Sequence, residues 1–263
     1  MMGCMFLAVA LKVLTIGNSY SECTIREFPA VAADLGVELD LLNAFIGGCP
    51  LEKQIRLMDN PSLDKHVRPW CCKFRYCDGM RPDLPNETWN FLADAIKADR
   101  WDVITIQQAS AKSWKRESYS PWGGELIGRI RLLAPQAEIV LQETWSDMPG
   151  SGRLDKWDVS SEDMYASLHA AYSDFAKIHG LRIIPTGTAV ERARHLAQLQ
   201  KKVNDPHLNA TGEFLQALVW TEKLFGKDVT QGKYVPKGMD PALAAKLRAV
   251  AHAVVSEQKA DRE

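Results

Sequence analysis

Short apolar runs recur along the chain, separated by stretches in which apolar residues return every three or four positions. The runs are Lys12–Ile16, Val37–Leu42, Asp102–Ile106, Glu138–Gln142 and Leu181–Ile184. Four of them are nearly continuous, as strands covered on both faces must be. The run VELDLL (37–42) alternates more and is expected nearer a sheet edge. Between the runs, ETWNFLADAIKA (87–98) sets Trp89, Leu92, Ala93 and Ile96 on one helical face. The stretch 162–180 does the same with Met164, Leu168, Ala171, Phe175 and Ile178, and Gly180 is a stop signal. Helical patterns over 212–226 and 241–258 close the chain. This alternation predicts an α/β fold, a parallel sheet with helices on both faces and right-handed crossovers. With no repeat and no low-complexity linker, residues 1–263 read as one domain.

Two segments break the rhythm. Residues 49–86 are rich in Pro and Cys and weakly periodic, and read as an irregular insert. Residues 146–161, SDMPGSGRLDKWDVSS, are polar; within them GRLDKWD is expected to be a solvated loop. Both follow strand C-terminal ends, where open α/β sheets place ligands.

The turn after the first strand carries the first chemical signal. GNSYSECTIRE (17–27) runs from strand into helix. Thr24 and Glu27 fit a capping box, with Pro29 kinking the helix early or delaying its start. Ser19 therefore sits on a strand-to-helix turn, as a helix cap or as a nucleophile near backbone N–H groups. A serine nucleophile needs a base, and the base needs an orienting acceptor. Of the histidines, His169, His179, His195 and His252 lie in helical patterns, and His66 lies in the insert. His207 stands in VNDPHLNATGEF (203–214), with an acid two residues before it and a helix after.

Composition narrows the functional classes. Hydrophobic residues make up 46% and charged residues 25%, with a net charge of −1. That balance leaves no basic footprint for nucleic acid. No apolar run reaches the roughly 18 residues of a membrane span. The 6 cysteines are too few for a disulfide framework, and a reduced, cytoplasmic setting is the default. Met5–Leu11 could pass for a short signal core. No basic residue precedes it and a strand follows at once, so it reads as the lead into that strand; a truncated start would reopen export. His66, Cys71, Cys72 and Cys77 could face zinc, but vicinal cysteines lack the usual C-x₂-C spacing.

Taken together, GNSYS (17–21), FIGGCPLE (45–52), ITIQQAS (104–110) and NDPHLNATGEFLQAL (204–218) resemble, in order, the blocks of the SGNH (GDSL-type) hydrolases. The nearest likeness is to an uncharacterised bacterial branch whose first block reads Gly-Asn-Ser-Phe/Tyr-Ser. The resemblance implies a three-layer α/β/α sandwich with a five-stranded parallel sheet ordered 2-1-3-4-5. It implies Ser19 as nucleophile, His207 as general base, and the N–H groups of Ser19 and Gly48 in an oxyanion hole. QQAS (107–110) resembles the Gln-Gly-Glu-Ser variant of some carbohydrate acetylesterases, which makes Gln107 the side-chain donor. Gln108 would then face the other way.

The usual acid stands three residues before the histidine, where this chain has Asn204. Three arrangements follow: Asp205 through a shifted loop, Asn204 as an amide, or a dyad. Asp205 is favoured because a carboxylate also stabilises the imidazolium. Asn18, Gln108, Glu143, Trp145 and Asn204 are candidate substrate contacts. The implied activity is ester hydrolysis through an acyl-enzyme, with a small-molecule or glycan ester as substrate and no metal or cofactor. A non-catalytic glycan-binding module on the same fold is the alternative.

Overall fold

The protein's computed structural model describes residues 10–58, 70–76, 88–89 and 92–260. Its central sheet runs in the order β4-β3-β2-β1-β5-β6-β7. Five of these strands are parallel: β1 (Leu11–Gly17), β2 (Leu39–Phe45), β5 (Val103–Ile106), β6 (Glu138–Gln142) and β7 (Arg182–Ile184). In chain order they read 2-1-3-4-5, as expected. The insert departs from expectation. Its residues Trp70–Tyr76 (β3), with Thr88–Trp89 (β4) just past it, extend the sheet antiparallel beyond β2. The strand with the more alternating pattern is therefore covered at its edge.

Helices line both faces. On one side lie α1 (Ser19–Asp34), α8 (Thr186–Ala193), α9 (Ala210–Phe225) and α10 (Pro241–Ala260), with Phe28, Val190, Leu215, Trp220 and Val254 in their core. On the other lie α2 (Leu51–Met58), α3 (Leu92–Lys97), α5 (Trp122–Leu133) and α7 (Ser161–His179), packed through Leu51, Leu92, Ile130, Leu168 and Phe175. Strand β1 shows the period-two logic: Val13 enters the first core, Leu14 and Ile16 the second. Each such buried aliphatic side chain contributes roughly 1.5–3 kcal/mol.

Local departures have local causes. Helix α1 begins at Ser19 because Asn18 caps it, so Thr24, fully buried, is inside the helix rather than its cap. Pro29 also lies inside α1. Strand β2 starts two residues late because the Val37 N–H closes the end of α1 onto Ala32 O. Trp89 belongs to β4, and α3 starts only at Leu92. Ile178 does not join the buried face of α7; it is 71% exposed near the helix end. Residues Gly152–Trp157 form a short helix, α6, capped by Ser151. Ser110–Ser113 form α4, and β8 (Gln200–Lys202) and β9 (Asp205–Leu208) make an antiparallel hairpin. No described helix is long and apolar enough to cross a membrane.

Candidate active site

Strand β1 ends at Gly17, where a side chain would press on Gln107. A Cβ on Gly17 would stand 2.9 Å from the Gln107 Cδ. Gln107 follows β5, the neighbour of β1, so the two loops meet where the strand order reverses. Asn18 joins them. Its Oδ1 accepts from the Tyr20 N–H at 3.2 Å and from Gln107 Nε2 at 2.9 Å. Its Nδ2 donates to Cys49 O at 3.3 Å and Gln108 O at 3.5 Å. Asn18 is thus a buried tie between three loops, and Ser19 is the first residue of the helix it caps.

His207 comes from the hairpin. Along a strand, residues i and i+2 share a face, so Asp205 and His207 on β9 point the same way while Pro206 turns inward. Pro206 O accepts from Trp145 Nε1 at 2.7 Å and from Gln200 Nε2 at 3.2 Å, which fixes the strand from behind. Tyr20 stacks on Trp145 with centroids 4.1 Å apart and meets the His207 ring edge-on at 5.7 Å.

A continuous hydrogen-bonded chain results. His207 Nε2 is 2.8 Å from Ser19 Oγ, and His207 Nδ1 is 2.5 Å from Asp205 Oδ1. The same carboxylate oxygen accepts from the His207 backbone N–H at 3.1 Å. With Nδ1–H donating to the carboxylate, Nε2 is left to accept the serine proton. Burial pushes the Asp205 carboxyl up, but hydrogen bonds from the His207 ring and backbone, with nearby positive charge, hold it below the usual range. Asn204 is not part of this chain. Its Oδ1 accepts from the Gly152 N–H at 2.8 Å and latches the hairpin to α6.

Other predicted residues fall at varying distances from this chemistry. Gly48 stands on the rim, exposed, in a turn closed by the Cys49 N–H on Ile46 O; its φ of +63° is one that glycine adopts freely. Gln107 is buried, and one Nε2 hydrogen goes to Asn18. Gln108 is used up structurally. Its Oε1 accepts from the Leu51 and Ala109 N–H groups, and its Nε2 donates to Ser118 O and Oγ. Glu143 points away, accepting from His169 Nδ1 at 2.7 Å and from the Thr188 N–H at 2.8 Å. Trp145 is 0% exposed and supports the hairpin; no face of it is open to a sugar. His66 and Cys77 lie outside the described residues, and Cys71 and Cys72 are on β3.

Sequence reasoning overlooked Tyr20, Ser110 and Arg153. Tyr20 stood within the first block and could have been flagged as an aromatic beside the turn. Arg153 gave no signal, because its surroundings read as solvated loop. Among the described residues, the one group of metal-ligand type is Glu222, Asp228 and His252, at the C-terminal end of α9.

Comparison with known proteins agrees with this architecture. The family model "Domain of unknown function (DUF4886)" matches residues 12–254. The crystal structure of a DUF4886 family protein from Bacteroides uniformis is 26% identical, with a TM-score of 0.80 over 94% of this chain and 95% of that one. A proposed SGNH hydrolase from Slackia heliotrinireducens is 18% identical, with a TM-score of 0.57 over 82% of this chain and 100% of its own. An acetylxylan esterase from Geobacillus stearothermophilus is 12% identical, with a TM-score of 0.52 over 86% and 100%. The last two establish likeness of fold to SGNH-type hydrolases. No curated protein matches the chain.

Proposed function

Because the chain belongs to the DUF4886 family, a domain of unknown function, its chemistry has to be read from the site itself, and we propose that it is a serine esterase of the SGNH type. The observation that carries this reading is the chain Ser19 Oγ, His207 Nε2, His207 Nδ1, Asp205 Oδ1, with links of 2.8 and 2.5 Å. In the proposed reaction His207 takes the Ser19 proton and the alkoxide attacks an ester carbonyl. The oxyanion is met by the N–H groups of Ser19 and Gly48 and by the second N–H of Gln107 Nε2. His207 then protonates the leaving alcohol, and water repeats the cycle on the acyl-enzyme. Asp205 remains a carboxylate and holds the imidazole in the tautomer the first step needs.

An acetyl group on a carbohydrate is the proposed substrate. Two features support it: the QQAS block, and the fold shared with an acetylxylan esterase. The Gly-Asn-Ser-Tyr-Ser first block assigns the chain, in this reading, to a separate bacterial branch, one domain over residues 1–263 with an insert at 49–86.

Turnover of 4-nitrophenyl acetate tests the reaction. Ser19→Ala should abolish nearly all of it and leave the fold intact, and a fluorophosphonate should label Ser19 alone. Wild-type turnover by a folded Ser19→Ala protein would overturn the assignment. Complete inactivity of the unmodified protein on acetyl esters would favour a non-catalytic binding module.

A further inference from the structure

Arg153 lies in the first turn of α6, and three side chains hold it. Its Nε stands 3.1 Å from Asp147 Oδ2, a carboxylate only 1% exposed. Its Nη2 donates at 2.9 Å to the Oγ of Ser110, the first residue of α4 after β5. The guanidinium lies over the Trp157 ring at 4.8 Å. Trp157 meets Trp114 at 6.0 Å, and the Lys115 ammonium stands 4.9 Å from the Trp114 ring centroid. Two cations therefore rest on two touching indoles.

This group is tied to the segments that carry the proposed site. Gly152, next to Arg153, donates to Asn204, next to Asp205. Ser110 follows Gln107 by three residues, and Gln107 Nε2 donates to Asn18, next to Ser19, at 2.9 Å. Nη1 of Arg153 has no partner among the described residues, and the side chain is 27% exposed.

The arrangement selects for a particular chemistry. A free surface arginine loses about 2 kcal/mol of rotamer entropy when it is fixed; here Asp147, Ser110 and Trp157 have already fixed it. Asp147 balances one positive charge, and Lys115 has no carboxylate partner among the described residues. Each indole already carries a cation on one face. What remains available is a planar N–H edge with net positive charge beside it, which matches a carboxylate.

We propose that Arg153, assisted by Lys115, binds a carboxylate on the ester substrate. An acetyl group carries no such charge, so the carboxylate belongs to the alcohol part, and the substrate class becomes acyl esters of acidic sugars. This rests on the serine-esterase reading.

Binding can be measured without turnover. The Ser19→Ala protein would be titrated calorimetrically with D-galacturonate, D-galactose and inorganic phosphate. Galacturonate should bind at least about tenfold tighter than galactose. Adding Arg153→Gln should erase that preference, and Arg153→Lys, which keeps the charge but loses the fork, should retain only part of it. Lys115→Gln gives a second, milder test should Arg153→Gln unfold. Equal affinity for the two sugars, binding of neither, or tighter binding of phosphate would overturn the proposal. A galacturonate preference in a protein that turns over no acetyl ester would uphold the subsite and sink the esterase reading instead.

Discussion

Replacing Asp205 by Asn preserves a hydrogen-bond acceptor for His207 Nδ1 but removes the charge that steadies the imidazolium. In the proposed reaction the loss in kcat should approach the roughly 10⁴ known for such a change in protease triads. Asn204→Ala should cost far less in kcat, because its amide oxygen holds Gly152 rather than the imidazole; one exposed hydrogen bond is worth about 0.5–1.5 kcal/mol of stability. Steady-state kinetics on the two variants beside the wild type decide this, and a dominant Asn204 effect would reverse the roles. Gln107→Ala should lower kcat by about 10²–10³ with KM little changed if its amide acts on the oxyanion. A raised KM with kcat kept would make it a substrate contact. At this scale the sequence could offer Ser19, Gln107 and His207 because residue type and order carry them. Between Asn204 and Asp205 it favoured Asp205 on the chemistry of a carboxylate alone, without the geometry. That choice depends on whether 204–207 turns or extends, which the pairing of β9 with residues 200–202 decides. Nor could it separate a sugar platform from a prop at Trp145, since indoles serve both purposes equally well.

Elements transmit these constraints. Gly17 ends β1 in contact with Gln107, so Gly17→Ala should push the amide off Asn18. We expect kcat to fall at least about tenfold while the melting temperature changes little; unchanged kcat would show that Gln107 can yield harmlessly. Parallel strands were legible as apolar runs because both their faces are buried. The β3 strand was not, because its partner is residue-by-residue register with β2, such as Leu41 with Tyr76, and no local pattern encodes that. Helix α6 was hidden for a related reason. With only Leu154 buried it has almost no apolar stripe, and it is held by capping and by Arg153 instead.

Across the molecule, the ion pair between His169 and Glu143 ties α7 to the end of β6 and the start of α8. The hydrogen bond to Glu143 outweighs burial and raises the His169 pKa above its ordinary value. A raised folded pKa means stability fully present below the ordinary histidine value and lost as pH rises through the folded one. The Tm difference between wild type and His169→Gln should therefore be largest in mild acid and shrink once pH passes that point. Thermal melts at constant ionic strength would check it, and a difference that grows with pH would refute it.

The contact between Ser19 and His207 spans 188 residues of chain. Closing so long a loop pays its entropy before any reward, and contacts of this kind form late or only with the whole topology. In the proposed esterase reading, reactivity toward a fluorophosphonate is thus a reporter of completed folding. In a refolding experiment, labelling at Ser19 should return no faster than the slowest phase of tryptophan fluorescence. A chain labelled earlier would have to assemble its first and last strands before its sheet.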